Sequence, residues 1–143
     1  MSTSVGMESE AQTAGKTDGP LVVQVSRSVA APVAHVWEVL VSRSGSQALL
    51  GEGAVLGAKG EPFHCVDGSS GFVRSYHPLE QLRVSWHETP DSPPSIVELD
   101  LRDDGGVTVL ELRADRILDD NHKSRLEQLW ASGLDRFAAA AEG

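Results

Sequence analysis

His64 and Cys65 stand side by side, the two residue types of a thiol–imidazole dyad. Neighbours on a strand point to opposite faces, so these two cannot serve each other. A nucleophilic Cys65 would need a separate base on its own face and a lowered thiol pKa, and the sequence supplies neither. The simpler reading is a lone thiol lining a core or a pocket. His35 and Glu38 lie one turn apart on an expected helix and could share a metal ion, but two ligands are too few for a site. An exposed helix face is the commoner home for such a pair, and no metal is expected. Gly51, Gly53 and Gly57 imitate a dinucleotide loop, yet the spacing is one residue too long and no strand and helix frame it. Lys59 sits outside any phosphate-cradling run. No cofactor is expected, and no catalytic residue can be named.

Arg27 falls in phase with Val25 and Val29. It either reaches inward toward a ligand carboxylate or forms an ion pair at a sheet edge. Arg74 and Tyr76 share a face with Phe72, while Val73, Ser75 and His77 share the other. A bulge in that strand would exchange the faces, so which set points inward stays open. Inward, Arg74 and Tyr76 would give a ligand a polar end; outward, they are ordinary surface. Trp37, Trp86 and Trp130 are the strongest apolar features. Core packing suits Trp37. Trp86 and Trp130 fit either core or pocket wall, since an indole offers large apolar area with one N–H donor.

The elements that position these residues follow from periodicity. Residues 1–20 are Ser, Thr, Gly, Glu and Ala-rich without an aromatic, and read as a disordered tail. LVVQVSRSV from Leu21 is a strand. Pro32 then opens a helix carrying Val33, Val36, Trp37 and Leu40 on one stripe, and a second short helical piece ends at Gly51. Strands are expected over Glu61–Val66, Phe72–His77, Leu82–Trp86, Ile96–Arg102 and Val107–Ile117, the last two joined by a DDGG hairpin. LDDN supplies N-cap chemistry for a long helix, His122–Ala141. The class is α+β: a curved antiparallel sheet of six to seven strands, two short helices after the first strand, and a long C-terminal helix across the concave face.

The 143 residues allow one domain, placed at residues 21–143. A formal net charge of −9 argues against nucleic-acid or anionic-membrane partners. A single cysteine, no apolar run of membrane-spanning length and no signal-like N-terminus give a cytoplasmic expectation, as a monomer or weak homodimer.

Four landmarks resemble one family. They are Arg27 to Pro32 (RSVAAP) followed by Val36-Trp37; Gly71 and Val73 with Pro78 and Leu82 to Trp86; Ser95 and Val97 with Gly106 and Thr108; and Trp130 with Leu134 and Phe137. Together they are similar to the START-related helix-grip (SRPBCC) superfamily, in the branch named after the activator of heat-shock-protein-90 ATPase. This chain departs from the branch at Leu129, where Gly is usual, at Leu49-Leu50, where a Trp is frequent, and at Leu112 to Ala114, where a His is frequent. The resemblance implies a helix-grip fold with a cavity between sheet and long helix. Its walls would include Phe63, Cys65, Arg74, Tyr76, Val84, Trp86, Leu99, Leu110, Trp130 and Leu134. It further implies binding or sequestration of a hydrophobic or aromatic small molecule, lipid- or polyketide-like, in natural-product biosynthesis or self-resistance. Two alternatives stay open. One is a cofactor-independent polyketide cyclase or aromatase. The other is a chaperone-associated protein-interaction module, which would need a filled core and an apolar outer sheet face.

Overall fold

The computed structural model describes residues 21–142; the tail expected at 1–20 lies outside the described residues. The chain runs β1 (Val23–Val29), α1 (Val33–Leu40), α2 (Arg43–Leu50), β2 (Pro62–His64), β3 (Ser70–His77), β4 (Gln81–His87), β5 (Ser95–Asp104), β6 (Val107–Ala114) and α3 (Asp120–Glu142). All six strands form one antiparallel sheet in the order β1-β6-β5-β4-β3-β2. Consecutive strands pair along a meander, except that β1 closes the far edge beside β6.

The inner face is built in rows across the strands. Val23, Ala114, Val97, Val84 and Val73 form one row. Val25, Leu112, Leu99, Leu82 and Tyr76 form the next. A third, nearer the open end, runs Phe63, Gly71, Trp86, Ser95. Large alternates with small in that row, so the Trp86 indole has room beside it. The outer face carries Gln81, whose amide donates to Asp100 at 2.8 Å, and Arg83, 3.2 Å from Glu98. Polar cross-strand pairs such as these give the outer face a largely polar character, with Phe72 as an exposed aromatic on it.

A bulge does fall in β3. Val73 pairs with Val84 and Ser75 with Arg83, which leaves Arg74 as the extra residue. Phe72 and Arg74 therefore face out, with the guanidinium 6.0 Å from the Phe72 ring centroid, while Val73 and Tyr76 face in. The expected set of Phe72, Arg74 and Tyr76 is split, and Arg74 does not line the interior.

Strand β6 stops at Ala114, earlier than the expected Ile117. Asp115 turns its carboxylate onto the Ile96 N–H at 2.7 Å, and Arg116 enters the left-handed region at φ 62°. The β5–β6 turn uses Gly105 and Gly106, both at positive φ. Asp119 caps α3 by accepting from the His122 N–H at 2.8 Å. Helix α3 buries Leu126, Trp130, Gly133, Leu134, Phe137, Ala138 and Ala141 on one stripe. Its later half packs on β1, α1 and α2. There Gly133 lets the α2 backbone approach so closely that a Cβ would lie 2.8 Å from the Leu49 oxygen.

A Cβ on Gly71 would lie 1.8 Å from the Ser85 carbonyl oxygen and 2.9 Å from the Phe63 ring. Gly71→Ala is therefore expected to destabilise the protein by about 3 kcal/mol. The check is urea unfolding, with Gly68→Ala, where open space surrounds the glycine, as the comparison.

Candidate functional site at the open end of the sheet

Trp86 on β4 and Trp130 on α3 meet edge to face, with ring centroids 5.0 Å apart and planes at 65°. Both are buried, at 4% and 1% exposure. Such pairs favour this geometry because the positive ring edge meets the negative face. Neither indole N–H has an acceptor among the described residues. A buried donor left without an acceptor costs about 1–3 kcal/mol, so two of them in one contact call for an explanation.

Outside the pair, three side chains close the end of the sheet. The Glu88 carboxylate, just past β4, receives a fork from Arg125, with one branch at 3.2 Å and the other shorter. His122 Nε2 lies 3.3 Å from the same carboxylate. His122 Nδ1 accepts from the Leu118 N–H at 3.0 Å, which places the proton of the neutral ring on Nε2, where it donates to Glu88. The Arg125 hydrogen bonds hold the Glu88 carboxyl below the usual carboxylate range against a smaller opposing effect of burial, with His122 helping. The same carboxylate raises Arg125.

This clasp divides the space around Trp86. On one side is a crevice of about 50 Å³, walled by Trp86, Glu88, Ser92, Pro93, Ser95, Arg116, Leu118, His122 and Leu126. On the other is an open groove of about 460 Å³, along Trp86, Glu88, Arg125, Gln128, Leu129, Ser132, Arg136, Asp67 and Ser69. Two exposed leucines, Leu118 and Leu129, stand at the crevice and the groove. The crevice is far below the roughly 300–1,000 Å³ of small-molecule sites. A polyketide-sized body would fit inside the crevice only if the clasp parted, whereas the open groove already lies in that range.

The expected wall residues are distributed as follows. Phe63, Val84, Leu99, Leu110, Trp130 and Leu134 are buried in one continuous core with Trp86. Of these, only Trp86 borders either space; Phe63, Val84, Leu99, Leu110, Trp130 and Leu134 are packed behind it in that core. Tyr76 is half-buried at the other end, edge to face with Trp37 at 6.2 Å. Its hydroxyl donates to the Gly57 carbonyl at 2.5 Å, and burial raises its pKa. Burial likewise raises the Cys65 thiol, which donates to the Leu50 carbonyl at 3.5 Å; a thiol held protonated is a poor nucleophile. His35 meets the Ala141 carbonyl at the end of α3, at 2.9 Å. Arg27 forms the edge ion pair, 2.8 Å from Asp135. Glu88, Arg116, His122 and Arg125 were not anticipated. His122 and Arg125 lie three apart on one helix face, but their partner is more than thirty residues away and no local pattern announces it.

Comparison with known proteins supplies the context. The sequence profile described as Activator of Hsp90 ATPase homolog 1-like protein matches residues 30–142. The chain belongs to this family. No curated protein matches the sequence. Among solved structures, DynU16, a protein of the dynemicin biosynthetic locus, is similar at TM-score 0.70 and 22% identity over 82% of this chain. This chain spans only 46% of DynU16. CalU16 from Micromonospora echinospora matches at TM-score 0.71 and 22% identity, over 84% of this chain and 75% of CalU16. The Aha1 dimer from Colwellia psychrerythraea matches at TM-score 0.71 and 13% identity, over 85% of this chain and 96% of that one. These likenesses establish the helix-grip fold. No helix among the described residues is long and apolar enough to cross a membrane.

The clasp is open to a direct test. Glu88→Gln should lower stability at neutral pH by about 0.5–1 kcal/mol, since Arg125 is largely exposed. The folded-state pKa of Glu88 is depressed, so its contribution is complete above the unfolded pKa and fades as pH falls through the folded one. Urea titrations stepped from neutral pH into acid should show the two proteins converging below that window.

Proposed function

We propose that this chain binds an apolar small molecule carrying a hydrogen-bond acceptor, at the Trp86–Trp130 contact behind the Glu88 clasp. The observation that carries this reading is the pair of buried indole N–H groups without acceptors. A donor-only pair selects a carbonyl, ether or carboxylate oxygen and rejects a pure hydrocarbon. The driving force is burial of ligand apolar area, about 25 cal/mol per Å² before ordering costs.

Three features support it. The contact lies between sheet and long helix at the end where α3 is least tied down. Leu118 and Leu129 give the opening an apolar rim. DynU16 belongs to a biosynthetic locus, which favours a ligand of natural-product type, carried or sequestered in the cytoplasm. The polar outer sheet face weighs against a docking module.

Calorimetry with a matched pair of probes tests the reading. Acetylnaphthalene, with a carbonyl acceptor, should bind about tenfold more tightly than ethylnaphthalene, one hydrogen bond's worth. Trp86→Phe removes that preference. The substitution should cost the fold about 1 kcal/mol or less, because the lost ring volume is offset by losing an unpaired donor. Absence of binding by both probes would sink the proposal.

A further inference from the structure

The crevice beside Trp86 has a polarity of its own. Arg116, on its wall, takes part in none of the hydrogen bonds or ion pairs formed among the described residues. Its backbone is held at φ 62°, a conformation that a long side chain adopts at a cost. Two residues with unused donors therefore line one small space: Arg116, exposed and unpaired among the described residues, and Trp86, 4% exposed, whose buried N–H has no acceptor among them. Both groups can only donate.

Three of the nearby negative groups are already engaged, while Asp120, in the first turn of α3, stays exposed to solvent. Glu88 is neutralised by the Arg125 fork and the His122 Nε2–H. Asp115 accepts from the Ile96 N–H, and Asp119 caps the His122 N–H. His122 and Leu126 bring the first turns of α3 to the wall, so the crevice opens beside the positive end of a 23-residue helix. At about 50 Å³ it has room for a few heavy atoms, a head group and not a whole ligand.

We infer that this crevice takes the carboxylate of an otherwise apolar ligand, with Arg116 as its counter-ion and the Trp86 N–H as a second donor. The inference rests on the ligand-binding reading above and names the ligand class: an apolar or aromatic acid. The apolar body lies against the Trp86–Trp130 contact, and the clasp parts to admit it.

The test compares naphthylacetic acid with its methyl ester by calorimetry at neutral pH. The probes share an apolar body and differ in charge. The wild-type protein should prefer the acid by about tenfold, the worth of a charge-assisted hydrogen bond, and added salt should shrink the preference. Arg116→Gly removes the charge and suits positive φ, so the variant should fold and unfold like wild type while binding acid and ester alike. Arg116→Lys restores most of the preference. Arg113→Gln, an outer-face substitution, leaves it intact. Equal binding of acid and ester by wild type, or a preference that survives in Arg116→Gly, overturns this inference and leaves the ligand reading standing. Failure of the acid, the ester and acetylnaphthalene to bind overturns both.

Discussion

The open end of this fold depends on one missing side chain. Gly71 sits between Phe63 and Trp86 in the row nearest that end, and its absent Cβ is what lets two large rings lie on the two strands that flank β3. On the other flank Ser95 is also small. The Trp86 ring thereby stands up from the sheet far enough to meet Trp130 edge to face. A larger residue at position 71 would displace the β4 backbone as well as the ring, because its nearest obstacle is the Ser85 carbonyl. Sheet register, indole position and helix seat are thus fixed by a single steric fact.

Helix α3 is held unequally along its length. Its later half is locked by Phe137, Ala138 and Ala141 in the core, by Gly133 against α2, and by polar ties at Arg136 to the Ala48 carbonyl and His35 to the Ala141 carbonyl. Its first half rests on Leu126, Trp130 and the Glu88 clasp. Apolar burial of the first kind is hard to undo, whereas a partly exposed ion pair contributes little. Opening of this molecule is therefore cheapest at the clasp, next to the two unpaired indoles. The fold places its weakest tie where it leaves donors unused.

Residue periodicity made most of the architecture legible. Alternation in LVVQVSRSV and in the β5 and β6 segments survives because one face is buried and the other wet, and the α3 stripe is long enough to be unmistakable. The resemblance to the family was carried by the same core-building residues and is confirmed across residues 30–142. Arg74 shows the limit. Sequence raised the possibility of a bulge, but its position depends on which residues β4 offers as partners, and only the paired register of Val73 with Val84 and Ser75 with Arg83 decides it. The β6 ending was missed for a related reason: Asp115 stops the strand with its own side chain, which periodicity does not register. The clasp was invisible because it joins a loop after β4 to a helix more than thirty residues later.

That division has a physical cause with consequences for function. Core rows must satisfy packing, so their residue types are predictable from the fold, and they are shared in kind by any chain that adopts it. Glu88, Arg116, His122 and Arg125 belong to segments beyond the rows: a strand's end, the loop before α3 and the helix's first turns. Packing leaves these positions free, so what occupies them answers to some other demand. In this chain the occupants are donors and one compensated carboxylate gathered around two buried indoles. On the ligand-binding reading proposed above, sheet and helix part at the clasp, and the polar residues along that line set what enters.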